Sequence, residues 1–185
     1  MKLKITLGVG LWAVGASMVH AADLTPQQAL LSLQGEWTGA LEYRDYQSDQ
    51  WFGLPVSRTV TLLEDKATVL ETSRYDDGPK TGIVYIYSLS AFEPDGKTLA
   101  SASFRKGKPA SEDRETVSLA RGATADNWTL YFESTATDDE RPARIRVTMT
   151  YKDNAYTTLK EIDFTDDATE TWVTRNRSHM KRVKP

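Results

Sequence analysis

From Gly35 onward, apolar and polar side chains alternate with a period of two, interrupted about every ten residues by turn chemistry. In Arg141–Lys152, Ala143, Ile145, Val147, Met149 and Tyr151 alternate with Arg144, Arg146, Thr148 and Thr150. Over residues 127–135, Trp128, Leu130 and Phe132 alternate with Thr129, Tyr131 and Glu133. In the first such run Trp37, Gly39, Leu41 and Tyr43 point one way, and Thr38, Ala40, Glu42 and Arg44 the other. One buried face and one wet face is what a strand in a barrel wall or sandwich sheet needs. The same rhythm predicts strands over 54–63, 66–75, 81–90, 98–105, 112–121, 155–163 and 169–178. Asp76-Asp77-Gly78-Pro79, Glu93-Pro94-Asp95-Gly96-Lys97 and Lys152-Asp153-Asn154 supply Gly, Pro, Asp and Asn where hairpins need special backbone angles.

Ahead of the strands lies one helix with a mechanism. Thr25 can cap it, Pro26 suits its first position, and Gly35 waits beyond its end. At about two turns it is too short to stand alone and must pack on something. About ten short, evenly spaced strands with no second helix predict an all-β chain, an antiparallel barrel or sandwich.

Composition narrows the class. The 185 residues suit one domain, and 39% apolar with 10% aromatic residues suffice for a core. Lys2 and Lys4, the apolar run 5–18 and Val19-His20-Ala21 read as an export signal over residues 1–21, with cleavage after Ala21 or, next best, Ala22. That leaves one domain over 22–185 in the periplasm, or secreted, with no membrane span expected from so short an apolar run. Losing two of the 23 basic residues leaves 21 against 26 acids, a net charge of −5 that argues against nucleic acid as a partner. The absence of cysteine removes disulfides, a thiol nucleophile and a lipid-carrying Cys, so no lipid anchor is expected.

Candidate chemistry concentrates in the second and third strands. Val56, Arg58, Val60 and Leu62 share one face, and Ala67, Val69, Glu71 and Ser73 one face of the next. A turn at Glu64-Asp65 sets Arg58 opposite Glu71; a turn at Asp65-Lys66 makes them diagonal neighbours on the same face. Arg58 could grip a ligand carboxylate in bidentate fashion, whereas the commoner use of such a pair is to set register. The run Tyr43-Arg44-Asp45-Tyr46 could line a pocket mouth, and Tyr85 and Tyr87, sharing a face with Ile83 and Leu89, are pocket or core aromatics.

Enzyme machinery is thin. The histidines are His20 in the leader and His179 near the end, so a Ser-His-Asp triad or a His-rich metal site is not expected. The Asp-rich loops have no ligand spacing, and no cofactor, metal or catalytic set is assigned.

With Gly35-Glu36-Trp37 after a short helix and Arg175 on the last strand, the chain resembles the calycin superfamily, the lipocalins and their ten-stranded relatives. The resemblance implies an up-and-down antiparallel β-barrel of about eight to ten strands. It implies that Trp37 packs under an Arg of the final strand to close one end, with Arg175 in that role and Arg177 the alternative. It also implies an exported binding protein holding a small apolar or amphipathic ligand. Its site would be lined by Tyr43, Arg58, Glu71, Tyr85, Tyr87, Trp128 and Phe132. Two other functions remain: a structural or interaction protein with a filled interior, and an enzyme built on carboxylates and tyrosines with Glu71 and Arg58 at its centre.

Overall fold

The computed structural model describes residues 23–44 and 50–184; the expected leader, together with Asp45 and Tyr46, lies outside them. A helix α1 (Pro26–Leu31) precedes β1 (Gly35–Arg44), β2 (Trp51–Leu62) and β3 (Val69–Asp76). A single helical turn α2 (Gly78–Thr81) leads into β4 (Ile83–Phe92), β5 (Thr98–Arg105), β6 (Ser111–Leu119) and β7 (Asn127–Asp138). The chain ends in β8 (Arg141–Lys152), β9 (Ala155–Phe164) and β10 (Val173–Arg182). Each strand pairs antiparallel with the next, and β10 pairs with β1, so the sheet closes on itself as an up-and-down barrel. Closure leaves little strand edge for another chain to extend.

Local chemistry accounts for the elements. Thr25 and Gln28 form a reciprocal capping box, with Thr25 Oγ1 accepting from the Gln28 amide at 3.1 Å and Gln28 Oε1 accepting from the Thr25 amide at 2.9 Å. Asp65 and Asp95 build matching turns: each accepts from the backbone amides two and three residues on and from a Thr hydroxyl, at Thr68 and Thr98. Lys66 and Gly96 take the left-handed position in those turns. Two-residue turns with both residues left-handed join β7 to β8 (Asp139-Glu140) and β8 to β9 (Asp153-Asn154).

The first turn sets the β2–β3 register. Arg58 pairs with Ser73 and Val60 with Glu71, so Arg58 and Glu71 are diagonal neighbours rather than opposite one another. A two-residue slide keeps every side chain on its face, which is why the shared face of Arg58 and Glu71 survives.

α1 plugs one end of the barrel, burying Ala29 and Leu33 against Trp37, Trp128, Tyr151, Tyr156 and Met180. Trp37 is 1% exposed and donates from Nε1 to the Leu33 carbonyl at 2.8 Å. Its ring meets Tyr156 edge-on at 4.7 Å, while Trp128 stacks on Tyr151 at 5.1 Å. The arginine over Trp37 is Arg182, 4.3 Å from the ring centre, not Arg175 or Arg177. Arg182 also donates to the carbonyls of Gln34 (2.5 Å) and Ser32 (2.9 Å), fastening the helix exit to the last strand. The reason is topological: β10 runs antiparallel to β1, so the start of β1 meets the end of β10, and Trp37 pairs with Arg182. The expected last strand, 169–178, ended too early. Arg175 lies at the opposite end, ion-paired with Asp138, and Arg177 lies over Trp51 and pairs with Glu42 at 2.6 Å. At Gly39 the β1 backbone passes so close to β10 that a Cβ would sit 1.8 Å from the His179 carbonyl oxygen.

Candidate functional site

Above the plugged end, the inner wall turns polar. Arg58 on β2 reaches into the barrel with its side chain 15% exposed. Its Nε donates to Ser73 Oγ at 3.0 Å and lies 3.0 Å from Glu71 Oε1, and its Nη1 donates to the Tyr156 hydroxyl at 2.8 Å. Ser73 Oγ in turn donates a hydrogen bond to Glu71 Oε1 at 2.9 Å. Burial alone would make Arg58 easier to deprotonate, but Glu71, with Tyr156 and Tyr75, more than offsets it and raises its pKa. Burial pushes the Tyr156 hydroxyl up to about 12 against the opposing pull of Arg58. The guanidinium is thus held at Nε by Ser73 and Glu71 and at Nη1 by Tyr156.

The space lies around this network. Toward the mouth, a cavity of about 390 Å³ is lined by Leu41, Tyr43, Phe52, Leu54, Tyr75 and Arg105, among others. A second, of about 290 Å³, shares Leu41, Tyr43 and Tyr75 with it and continues past Val56, Val147 and Met180 to Lys160, Asn176 and Ser178. A third, of about 190 Å³, lies on the plug side of Arg58 against Glu71, Ser88, Ser103 and Phe132. Tyr43 stacks on Phe52 at the rim (6.0 Å between centres), and burial, then Tyr75 and Asp77, raise its pKa. The wall is thus mixed, with aliphatic and aromatic patches between serine and threonine hydroxyls.

One seam of the barrel is partly open. β6 and β7 pair only over residues 116–119 against 130–133, leaving 111–115 and 134–138 unpaired with each other. The resulting slot, about 430 Å³, is lined by Asp113, Glu115, Ser134, Ala136, Val147 and Lys160, so it reaches two residues of the central cavity. Burial and then Asp113 raise the pKa of Glu115, while Lys160 pulls it down.

The expected site residues divide. Tyr43, Arg58, Glu71 and Phe132 face the interior cavities. Trp128 also faces inward but belongs to the plugged end, 2% exposed in the core. Tyr85 and Tyr87 stand on the outer surface, each 45% exposed and stacked on one another at 6.3 Å, so neither lines a cavity. The inward positions of β4 are Val84, Ile86, Ser88 and Ser90 instead. His179 also faces out, 3.4 Å from Glu42 Oε2. Among the described residues no group of three or more His, Cys, Asp or Glu is placed to hold a metal ion, and no helix is long and apolar enough to cross a membrane.

Sequence reasoning missed Tyr75, Lys160 and Asn176. A signal for Lys160 was present: it shares a face with Tyr156, Thr158 and Ile162, a mostly inward set where a lysine is out of place.

No family model matches the chain, and no curated protein matches it by sequence. Among solved structures, BF2706 of Bacteroides fragilis aligns over 87% of this chain and all of its own, at 10% identity and a TM-score of 0.20, too low to bear on the fold. The crystal structure of Rv2717c from M. tuberculosis covers 88% of this chain and 100% of its own, at 13% identity and a TM-score of 0.59, a likeness in fold alone.

Proposed function

We propose that this chain is an exported, calycin-like binding protein whose barrel holds one small molecule with an apolar body and a polar end. The observation that carries the reading is the unfilled interior. Cavities of about 390 and 290 Å³ share Leu41, Tyr43 and Tyr75 and open toward the mouth, above an end packed solid with aromatic side chains. Together they fall in the size range of small-molecule sites, and their mixed lining suits an amphipathic occupant. A side-chain-filled barrel leaves no such space. Export rests on the leader-like segment over residues 1–21.

Native mass spectrometry of the protein purified from its own cell envelope tests this reading. The expected result is a chain beginning at Ala22 with a stoichiometric small molecule released on denaturation. A chain retaining Met1 removes the export claim. A barrel that carries nothing, and takes up no amphiphile on titration, removes the binding claim.

A further inference from the structure

We infer that the polar end of the ligand is an anion and that Lys160 is its anchor, an inference that rests on the binding reading above. Lys160 sits in the middle of β9, paired with Val147 of β8 and Asn176 of β10. Its side chain lines both the central cavity and the β6–β7 slot. Among the described residues no carboxylate lies within 4 Å of its ammonium. Arginines of the two flanking strands are treated differently: Arg144 meets Asp163 at 2.6 Å, Arg146 meets Glu161 at 2.8 Å, and Arg177 meets Glu42 at 2.6 Å. Those arginines lie on the outer face, each 38–44% exposed, and still have a carboxylate partner. The inward lysine, beside Val147, Leu41 and Met180, has none.

A half-buried ammonium without a counter-ion is costly, and proteins ordinarily supply one from the chain or from a ligand. The groups facing Lys160 serve poorly. Glu115, across the slot on β6, feels its charge but stays beyond ion-pair distance, as does Asp113, and burial and then the neighbouring Asp113 raise the pKa of Glu115. Arg58 lines the same cavity, but its charge is already offset by Glu71, with Nε on Ser73 and Glu71 and Nη1 on Tyr156, so it is the weaker candidate for the anion. Asn176 presents an amide to the same space, able to donate to an oxyanion held by Lys160. From there the wall runs through Leu41, Val56 and Tyr43 toward the mouth, an apolar path for the rest of the molecule. The chemical class is therefore a monoanion, such as a carboxylate or sulfate, on an aliphatic or aromatic body.

Calorimetric titration of the whole exported chain at pH 7.5 with decanoate and with decan-1-ol separates the head from the tail. Decanoate is expected to bind at least about tenfold more tightly, the size of one charge-assisted hydrogen bond. Lys160→Met is expected to abolish that preference while leaving decan-1-ol binding unchanged, and Lys160→Arg to retain it. Equal affinities in the wild-type chain, which need no variant to fold, overturn the anion. A preference that survives in Lys160→Met overturns Lys160 as its anchor. Failure of both compounds to bind overturns the binding reading and this inference with it, whereas decan-1-ol binding without preference leaves the binding reading standing.

Discussion

Replacing Trp37 by alanine tests the plugged end most sharply. The indole is 1% exposed, edge-on to Tyr156 at 4.7 Å and to Tyr151 at 6.4 Å, and lies beneath the Arg182 guanidinium. Truncation removes the ring from the core and leaves a cavity that α1 cannot collapse into without breaking its own cap. Buried Phe or Trp to Ala changes cost about 3–5 kcal/mol. The Leu33 carbonyl also loses its donor, adding about 1 kcal/mol for a buried polar group left unmet. A loss of about 4–6 kcal/mol is therefore expected, a large share of the stability of a domain this size. Trp37→Phe, which keeps most of the apolar surface but not the Nε1 bond, should cost about 1–2 kcal/mol. The assay is urea unfolding followed by far-UV circular dichroism, since removing one of five tryptophans changes the fluorescence baseline. A loss below about 1.5 kcal/mol for Trp37→Ala would refute the closure by Trp37 and Arg182.

Other parts of the barrel make separate commitments. A double-mutant cycle on Arg58→Met and Glu71→Gln should return a coupling of about 1–3 kcal/mol, with Glu71→Gln the costlier single change in relation to its exposure because it strands a buried cation; additive effects by urea unfolding would mean the two are not partners. Asp95, lowered to about 2 chiefly by the Thr98 hydroxyl and the backbone amides of Lys97 and Thr98, and Asp163, lowered chiefly by Arg144, are more acidic folded than unfolded. Their stabilisation is present above the unfolded carboxylate range near pH 4 and is lost as pH falls through their folded values. Asp95→Asn should therefore weaken the chain at pH 7 and flatten the decline in stability from pH 5 to pH 2; an unchanged slope would contradict this. The open seam can be probed because the chain has no cysteine of its own: Thr116→Cys with Glu133→Cys should oxidise to a disulfide, and Asp113→Cys with Ala136→Cys should stay reduced. Ready oxidation of the second pair would show the seam closed.

The existence of the strands was legible because most carry a period-two pattern with turn residues at their ends, and the capped helix because Thr25, Pro26 and Gly35 act locally. Facing was legible only where the inner wall is apolar. In β8, Ala143, Ile145, Val147, Met149 and Tyr151 mark the inside correctly. In β4 the rule inverts: Ile83, Tyr85, Tyr87 and Leu89 are outside, while Ser88 and Ser90 join Ser101 and Ser103 on a polar inner wall. A barrel with a wet interior does not obey the greasy-side-in rule, so hydrophobicity alone misassigns its site aromatics. The Arg58–Glu71 neighbourhood came through because parity, not register, decides a face. Arg182 was missed because the end of β10, Ser178 to Arg182, has too little apolar character to read as strand, and only the antiparallel return to β1 reveals what must sit over Trp37.

A crystal structure of the exported chain grown with 10-bromodecanoate addresses the central claim, because bromine marks the tail and leaves the carboxylate free to find its partner. Anomalous density inside the barrel between Tyr43 and Tyr75, with the carboxylate against Lys160, is the expected result. An empty interior at saturating ligand, or bromine found only on the outer surface beside Tyr85 and Tyr87, would contradict the account.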